Sequence, residues 1–101
     1  MRNIVEITTP LGVKVTCSSE YWECIVSVKH PIMKGKEGLV AEILHHPDEI
    51  RKSKIDPNVY LYYKGFERLY CSVAKHEGRN GFLITTYPTN RAKEGEIIWT
   101  K

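Results

Sequence analysis

The stretch Val59-Tyr60-Leu61-Tyr62-Tyr63, Leu69-Tyr70-Cys71-Ser72-Val73-Ala74 and Phe82-Leu83-Ile84-Thr85-Thr86-Tyr87 decides how this chain folds. Its three apolar runs come in close succession. Each is rich in β-branched and aromatic residues, which fit a pleated, half-buried surface. The gaps between them, Lys64–Arg68 and His76–Gly81, are short, polar and contain glycine. Gaps of that kind are hairpin connections, because parallel strands need a crossover of a dozen residues or more. The stretch therefore reads as an antiparallel meander. A sheet must bury a face against another layer, and the segment before it supplies candidates.

Upstream, Ser18 or Ser19 can cap a helix whose first turn carries Glu20 and Glu23, acids that suit the positive end of the helix dipole. Tyr21, Ile25, Val28 and Ile32 are spaced for one apolar face, with Trp22 and Val26 beside it. Pro31 biases His30 away from helical geometry, so this helix ends near Lys29. A second helix runs from about Lys36 to His45 with the stripe Leu39, Val40, Ile43 and Leu44, and Pro47 stops it. Pro47–Lys52 has acids first and bases last, the order a further helical turn favours. Ser53–Asn58 is a loop.

At the N-terminal side, Ile4–Thr8 and Val13–Cys17 flank Thr9-Pro10-Leu11-Gly12, a turn signal between two strands. After Tyr87 come the polar loop Pro88–Arg91 and a last strand, Glu96–Thr100. The expectation is one α+β domain over residues 1–101. Residues 1–17 form a hairpin extension, and 18–100 a core of two helices on a roughly four-stranded antiparallel sheet.

The 101 residues are 42% apolar and 27% charged, a globular composition. No apolar run approaches the roughly 18 residues of a membrane span, and no signal-peptide pattern opens the chain. A cytoplasmic protein without membrane contact is the expectation. Three cysteines, Cys17, Cys24 and Cys71, form no CxxC pair, which suits reduced thiols. No zinc set can be assembled, and there is no P-loop, GxGxxG, HExxH or GxSxG. No metal and no cofactor are expected. A net charge of +3 permits an acidic partner such as RNA without demanding one.

The chemistry-bearing residues sit near element ends, and each has two readings. His30, between Lys29 and Pro31, is a helix-terminal histidine or a proton-transfer group. His45 and His46 complement the end of the second helix, and His76 reads as a solvated hairpin residue. Arg51, Lys52 and Lys54 around Ser53 form a solvated charged run or hold one phosphate, through an arginine fork and a serine hydroxyl. Tyr60 and Tyr62 share a face opposite Val59, Leu61 and Tyr63; one of these tyrosine sets faces away from the core and, with Lys64, packs across strands or offers a row on which a base stacks. Thr85 and Tyr87 carry hydroxyls at a strand end.

In order, Lys29-His30-Pro31, Pro47-Asp48-Glu49-Ile50-Arg51-x-Ser53, Val59–Tyr63 and Phe82–Tyr87 resemble the barnase–EndoU–colicin–RelE-like nucleases, in their phage-associated branch. The resemblance covers roughly residues 20 to 90 and leaves the hairpin outside. It implies two helices before a four-stranded antiparallel sheet, and RNA cleavage without a metal. It matches His30 to the family's histidine, Arg51 and Ser53 to its Arg-x-Ser, and Thr85 and Tyr87 to polar positions of its last core strand. Such cleavage uses the ribose 2′-hydroxyl as nucleophile and needs a base, an acid and cations for the phosphorane charge. The leading expectation is a small endoribonuclease of toxin or phage-effector type. Its substrate would be RNA such as tRNA or mRNA, and its partner an antitoxin or immunity protein. The rival is a non-catalytic RNA- or protein-binding module on the same fold.

Overall fold

A computed structural model describes residues 2–92 and 95–101. The elements are β1 (Asn3–Thr8), β2 (Lys14–Ser18), α1 (Ser19–Cys24), α2 (Glu37–His45), β3 (Glu49–Lys52), β4 (Val59–Gly65), β5 (Leu69–Glu77), β6 (Asn80–Thr89) and β7 (Glu96–Thr100). A π-helical turn over Ile25–Lys29 and a 3-10 turn over Pro31–Met33 link the two helices. All seven strands join one sheet in the order β1-β2-β6-β5-β4-β3-β7.

This corrects the expected sheet of about four antiparallel strands. β4, β5 and β6 do form the antiparallel meander. The hairpin, however, is built into the sheet, because β2 pairs with β6 in parallel through Lys14–Thr16 and Asn80–Phe82. The sheet is mixed. The segment expected as a helical turn is strand β3, which lies between β4 and β7 and is antiparallel to both. Asp48 already starts the ladder: its N–H donates to the Tyr63 carbonyl, and its carbonyl accepts from Lys101 N–H. Pairing on two sides outweighs a charge order worth a few tenths of a kcal/mol. Ile50, the one apolar residue of β3, is fully buried.

Both helices lie on one face of the sheet. Trp22, Ile25, Val26, Met33, Val40, Ile43 and Leu44 pack there against Val15, Ile50, Tyr62, Ala74 and Leu83. The expected face of the first helix holds for Tyr21 and Ile25, which pack on the core, and fails farther along, where Val28 is 76% exposed and Ile32 53%. The cause is the π turn, in which His30 N–H donates to Ile25 O at 2.8 Å. A bond closed five residues back inserts one residue into the 3.6-residue rhythm and rotates every later side chain about the axis.

The opposite face carries a second apolar cluster. Leu61, Tyr63 and Cys71 are buried there, with Leu69, Val73, Tyr87 and Ala92 against them. Ala92 belongs to the link between β6 and β7, which passes from the middle of the sheet to its far edge. Covering on both faces explains why Leu61, Tyr62 and Tyr63 are buried in succession, the signature of a strand covered on both sides.

β6 is bulged. Thr85 pairs with Val73 and Leu83 with Ala74, leaving Ile84 as the extra residue. Leu83 faces the helices, and without the bulge Thr85 would too. The extra residue turns Thr85 and then Tyr87 to the outer face. Bulges often re-aim side chains in this way beside functional sites.

Gly81 sits where β6 holds both β2 and β5. A Cβ there would lie 2.5 Å from the Lys75 carbonyl oxygen and 3.3 Å from a Val13 methyl. Backbone cannot yield as a side-chain tip can. Gly81→Ala is expected to cost about 2–4 kcal/mol and to lower the urea midpoint without changing the slope. An unchanged midpoint would show that the β5–β6–β2 junction is looser than this geometry requires.

Candidate functional site

Beyond Phe82, β6 has no strand on its β2 side among the described residues. Residues of α1 and the π turn occupy that edge. The Tyr21 hydroxyl donates to the Ile84 carbonyl at 2.7 Å, and Lys29 Nζ donates to the same oxygen at 3.3 Å and to the Tyr21 hydroxyl at 3.1 Å. His30 comes next in the chain, and its ring centroid is 5.2 Å from that of Tyr87, tilted by 33°. Thr85 lies two residues before Tyr87 on the same face. Among the described residues, its Oγ1 is a buried polar side-chain atom with no hydrogen-bond partner. His30 and Tyr87, both matched from sequence, thus meet at this edge, with Thr85 two residues back on the same face of β6.

Arg51 is on the same outer face but farther away. One row across the sheet reads Arg51, Leu61, Val73, Thr85, and the next reads Glu49, Tyr63, Cys71, Tyr87. Three strand spacings separate β3 from β6, about 14 Å. Arg51 Nε donates to Glu49 Oε2 in an ion pair whose side chains are 17% and 25% exposed. The Arg51 guanidinium carbon is 5.9 Å from the centroid of the Tyr63 ring, so the arginine lies over β4. The result is a cation at one end, an imidazole, a phenol and a hydroxyl at the other, and an apolar floor between. Glu49 was missed by sequence reasoning, and Tyr63 was placed only as the face opposite Tyr60 and Tyr62. The period-2 relation of Glu49 to Arg51 was the available signal, and a helical reading of that segment hides it.

The remaining expected site residues lie elsewhere. Ser53 Oγ accepts from the N–H groups of Ile55 and Asp56, each at 3.2 Å, and so builds the turn before β4. Lys52 is exposed at the end of β3 and lines a surface recess with Ser53, Lys54 and Glu96. Lys64 Nζ donates to the His46 carbonyl at 2.7 Å and lies 3.8 Å from Asp48. It closes the end of α2. The Asp48 carboxyl is held below the usual range. Desolvation opposes this, but the Gly65 N–H at 2.8 Å and the Lys101 and Lys64 ammonium groups outweigh it.

Tyr60 and Tyr62 point toward the helices, not to the outer face. The Tyr62 ring is fully buried and offers no surface to a base. Its hydroxyl lies 3.1 Å from Thr9 Oγ1 and 2.9 Å from His76 Nε2, and Tyr60 stacks on His76 at 3.9 Å. Burial pushes the Tyr62 phenol up to about 12, with Thr9 opposing and Tyr60 adding to it. His76 is not the solvated residue its hairpin position suggests. It is 9% exposed, and burial pulls it down to about 4.

The three cysteines form no disulfide; Cys24 is exposed, and Cys17 and Cys71 are buried. Burial pushes the Cys17 thiol up to about 11. Among the described residues, no three His, Cys, Asp or Glu side chains are grouped to hold a metal ion. No described helix is long and apolar enough to cross a membrane. Comparison with protein-family models, curated proteins and solved structures finds no match.

The buried histidine makes stability depend on pH. Its folded pKa lies below the unfolded value near 6.5, so the unfolded chain binds more protons between about 4 and 6.5. The contribution is fully present above that window and is lost as pH falls through it. A loss of about 2–3 kcal/mol is expected between pH 6.5 and 4, read as a falling urea midpoint. His76→Gln should flatten this part of the profile. An equal pH response in that variant would assign the effect to other groups.

Proposed function

We propose that the outer face of the sheet binds RNA and cleaves it without a metal ion, as the barnase–EndoU–colicin–RelE-like resemblance implies. The observation that carries this reading is the contact of His30 with Tyr87 beside the unpartnered Thr85 hydroxyl, on the face that also presents Arg51. The effector role and an antitoxin or immunity partner rest on the resemblance alone.

In this mechanism the His30 imidazole takes the proton of a ribose 2′-hydroxyl. The 2′-oxygen attacks the adjacent phosphorus, and the bond from phosphorus to the 5′-oxygen breaks. Tyr87 gives its phenolic proton to that leaving oxygen. The products carry a 2′,3′-cyclic phosphate and a 5′-hydroxyl. A neutral imidazole near pH 7 is a suitable base. Arg51, released from Glu49 and extended across β4, and the Thr85 hydroxyl, uncovered as the RNA binds, would offset the charge that builds on the phosphorane. DNA lacks the nucleophile and is not cut.

A second reading, binding without catalysis, draws on a specific feature. Arg51 is already paired with Glu49, and its strand lies about 14 Å from that of Thr85. The test is incubation with single-stranded RNA in EDTA, with end-group analysis of the fragments. Cyclic-phosphate ends are expected. His30→Ala should lower the rate by about 10²–10⁴-fold, and Arg51→Ala by a comparable factor, both with near-parental melting. Binding without cleavage would favour the second reading, and full activity in folded His30→Ala would remove His30 from the mechanism.

The charge pattern sets the salt response. Bases and acids are interleaved outside Arg51–Lys54, so few phosphates are contacted. The slope of log affinity against log salt is expected to be about −1.4 to −2.1, corresponding to two or three contacts on a single strand. A slope steeper than about −4 would reveal a further basic surface.

A further inference from the structure

β2 and β6 part company after Thr16 and Phe82. β2 continues to Ser18 and turns into α1, while β6 continues along the π turn. A recess of about 340 Å³ opens in the wedge between them, lined by Asn3, Thr16, Cys17, Ser18, Tyr21, Phe82 and Leu83. That volume falls within the range of small-molecule sites, which pair an apolar lining with a few polar groups. Here the lining includes two aromatic rings, and Phe82 is 41% exposed.

The polar groups are of the kind that read a heterocycle's edge. Ser18 Oγ accepts from the Tyr21 N–H at 3.1 Å, which leaves its own proton to donate. The Asn3 amide has both a donor and an acceptor, and its bond to Glu6 is a long one at 3.4 Å. The Thr16 hydroxyl makes a similarly long bond to the Gly81 carbonyl at 3.5 Å.

The recess also has a fixed relation to the site described above. Tyr21 lines it, and Tyr21 and Lys29 together hold the Ile84 carbonyl. His30 adjoins Lys29 in the chain, and Thr85 adjoins Ile84. One wall thus separates the recess from the histidine and threonine.

We infer that this wedge is a nucleobase pocket, in which an unpaired base of the RNA stacks on Phe82 while its sugar and phosphate lie toward His30 and Thr85. The inference rests on the RNA reading and assigns the N-terminal hairpin a part in it. Asn3, Thr16 and Ser18 come from that hairpin, so it selects the base. Lys29, at the shared wall, faces the backbone of the same nucleotide.

A 2′-O-methyl oligonucleotide, which lacks the nucleophile, separates binding from cleavage. Phe82→Ala is expected to weaken its binding roughly 5- to 150-fold, the range for loss of one stacked base. Phe82→Tyr should retain most of the affinity, and Asn3→Ala should change the ranking among uridine, cytidine, adenosine and guanosine monophosphates. Titration of the four nucleoside monophosphates should shift amide resonances of Thr16, Tyr21 and Phe82. If the parent and folded Phe82→Ala bind the oligonucleotide equally, or the shifts avoid the wedge, the pocket is refuted while the RNA reading stands. If the parent binds no oligonucleotide and no nucleotide, the RNA reading itself fails, and the pocket's ligand with it.

Discussion

A strand that leaves its neighbour must still satisfy the backbone groups on the side it exposes. β6 meets this demand at Ile84, whose carbonyl is held by the Tyr21 hydroxyl at 2.7 Å and by Lys29. Much of the molecule depends on that contact. It fixes α1 and the π turn along the open edge of β6. The turn brings His30 out beside Tyr87. The same residue, Ile84, is the bulge that turns Thr85 and Tyr87 away from the helices. One backbone requirement therefore sets both partners of the His30–Tyr87 contact in the candidate site.

The two faces of the sheet have different tasks. The inner face buries the helices and the Tyr62–His76–Thr9 network, which fastens the hairpin turn to the meander. Polar groups there are committed to one another. The outer face has a smaller apolar cluster, flanked by the Arg51–Glu49 pair and the His30 edge. The apolar residues between these margins are buried, so what this face presents to solvent is set by the charged and polar groups around them.

The meander, the hairpin and α2 were legible because their signals are local: glycine-bearing gaps, alternation and a stripe ended by proline. What failed depends on distant partners. Glu49–Lys52 has a single apolar residue, and only β4 and β7 decide that it is a strand. The alternation of Tyr60 and Tyr62 against Leu61 and Tyr63 was readable, but not which set faces the helices, since both faces are covered. The exposure of Val28 and Ile32 was misjudged because the extra residue of the π turn has no local marker. For the site, His30 with Tyr87 was reachable through the resemblance. The bulge that aims Thr85, the ion pair that engages Arg51 and the burial of His76 are properties of the assembled sheet.

β3 lies between β4 and β7, and β7 leaves the ribosome after every other strand of the sheet. Until its residues emerge, β3 has one open side with unpaired amides and carbonyls, and Ile50 depends on a strand held from one side only. A nascent chain at that stage presents a sticky edge to other chains. Glu96–Thr100 then acts as a fastener. Synthesis that stops just short of it would leave a body with its helices and meander in place but open to edge-to-edge association. For this fold, premature release would show itself as aggregation rather than as failure to form secondary structure.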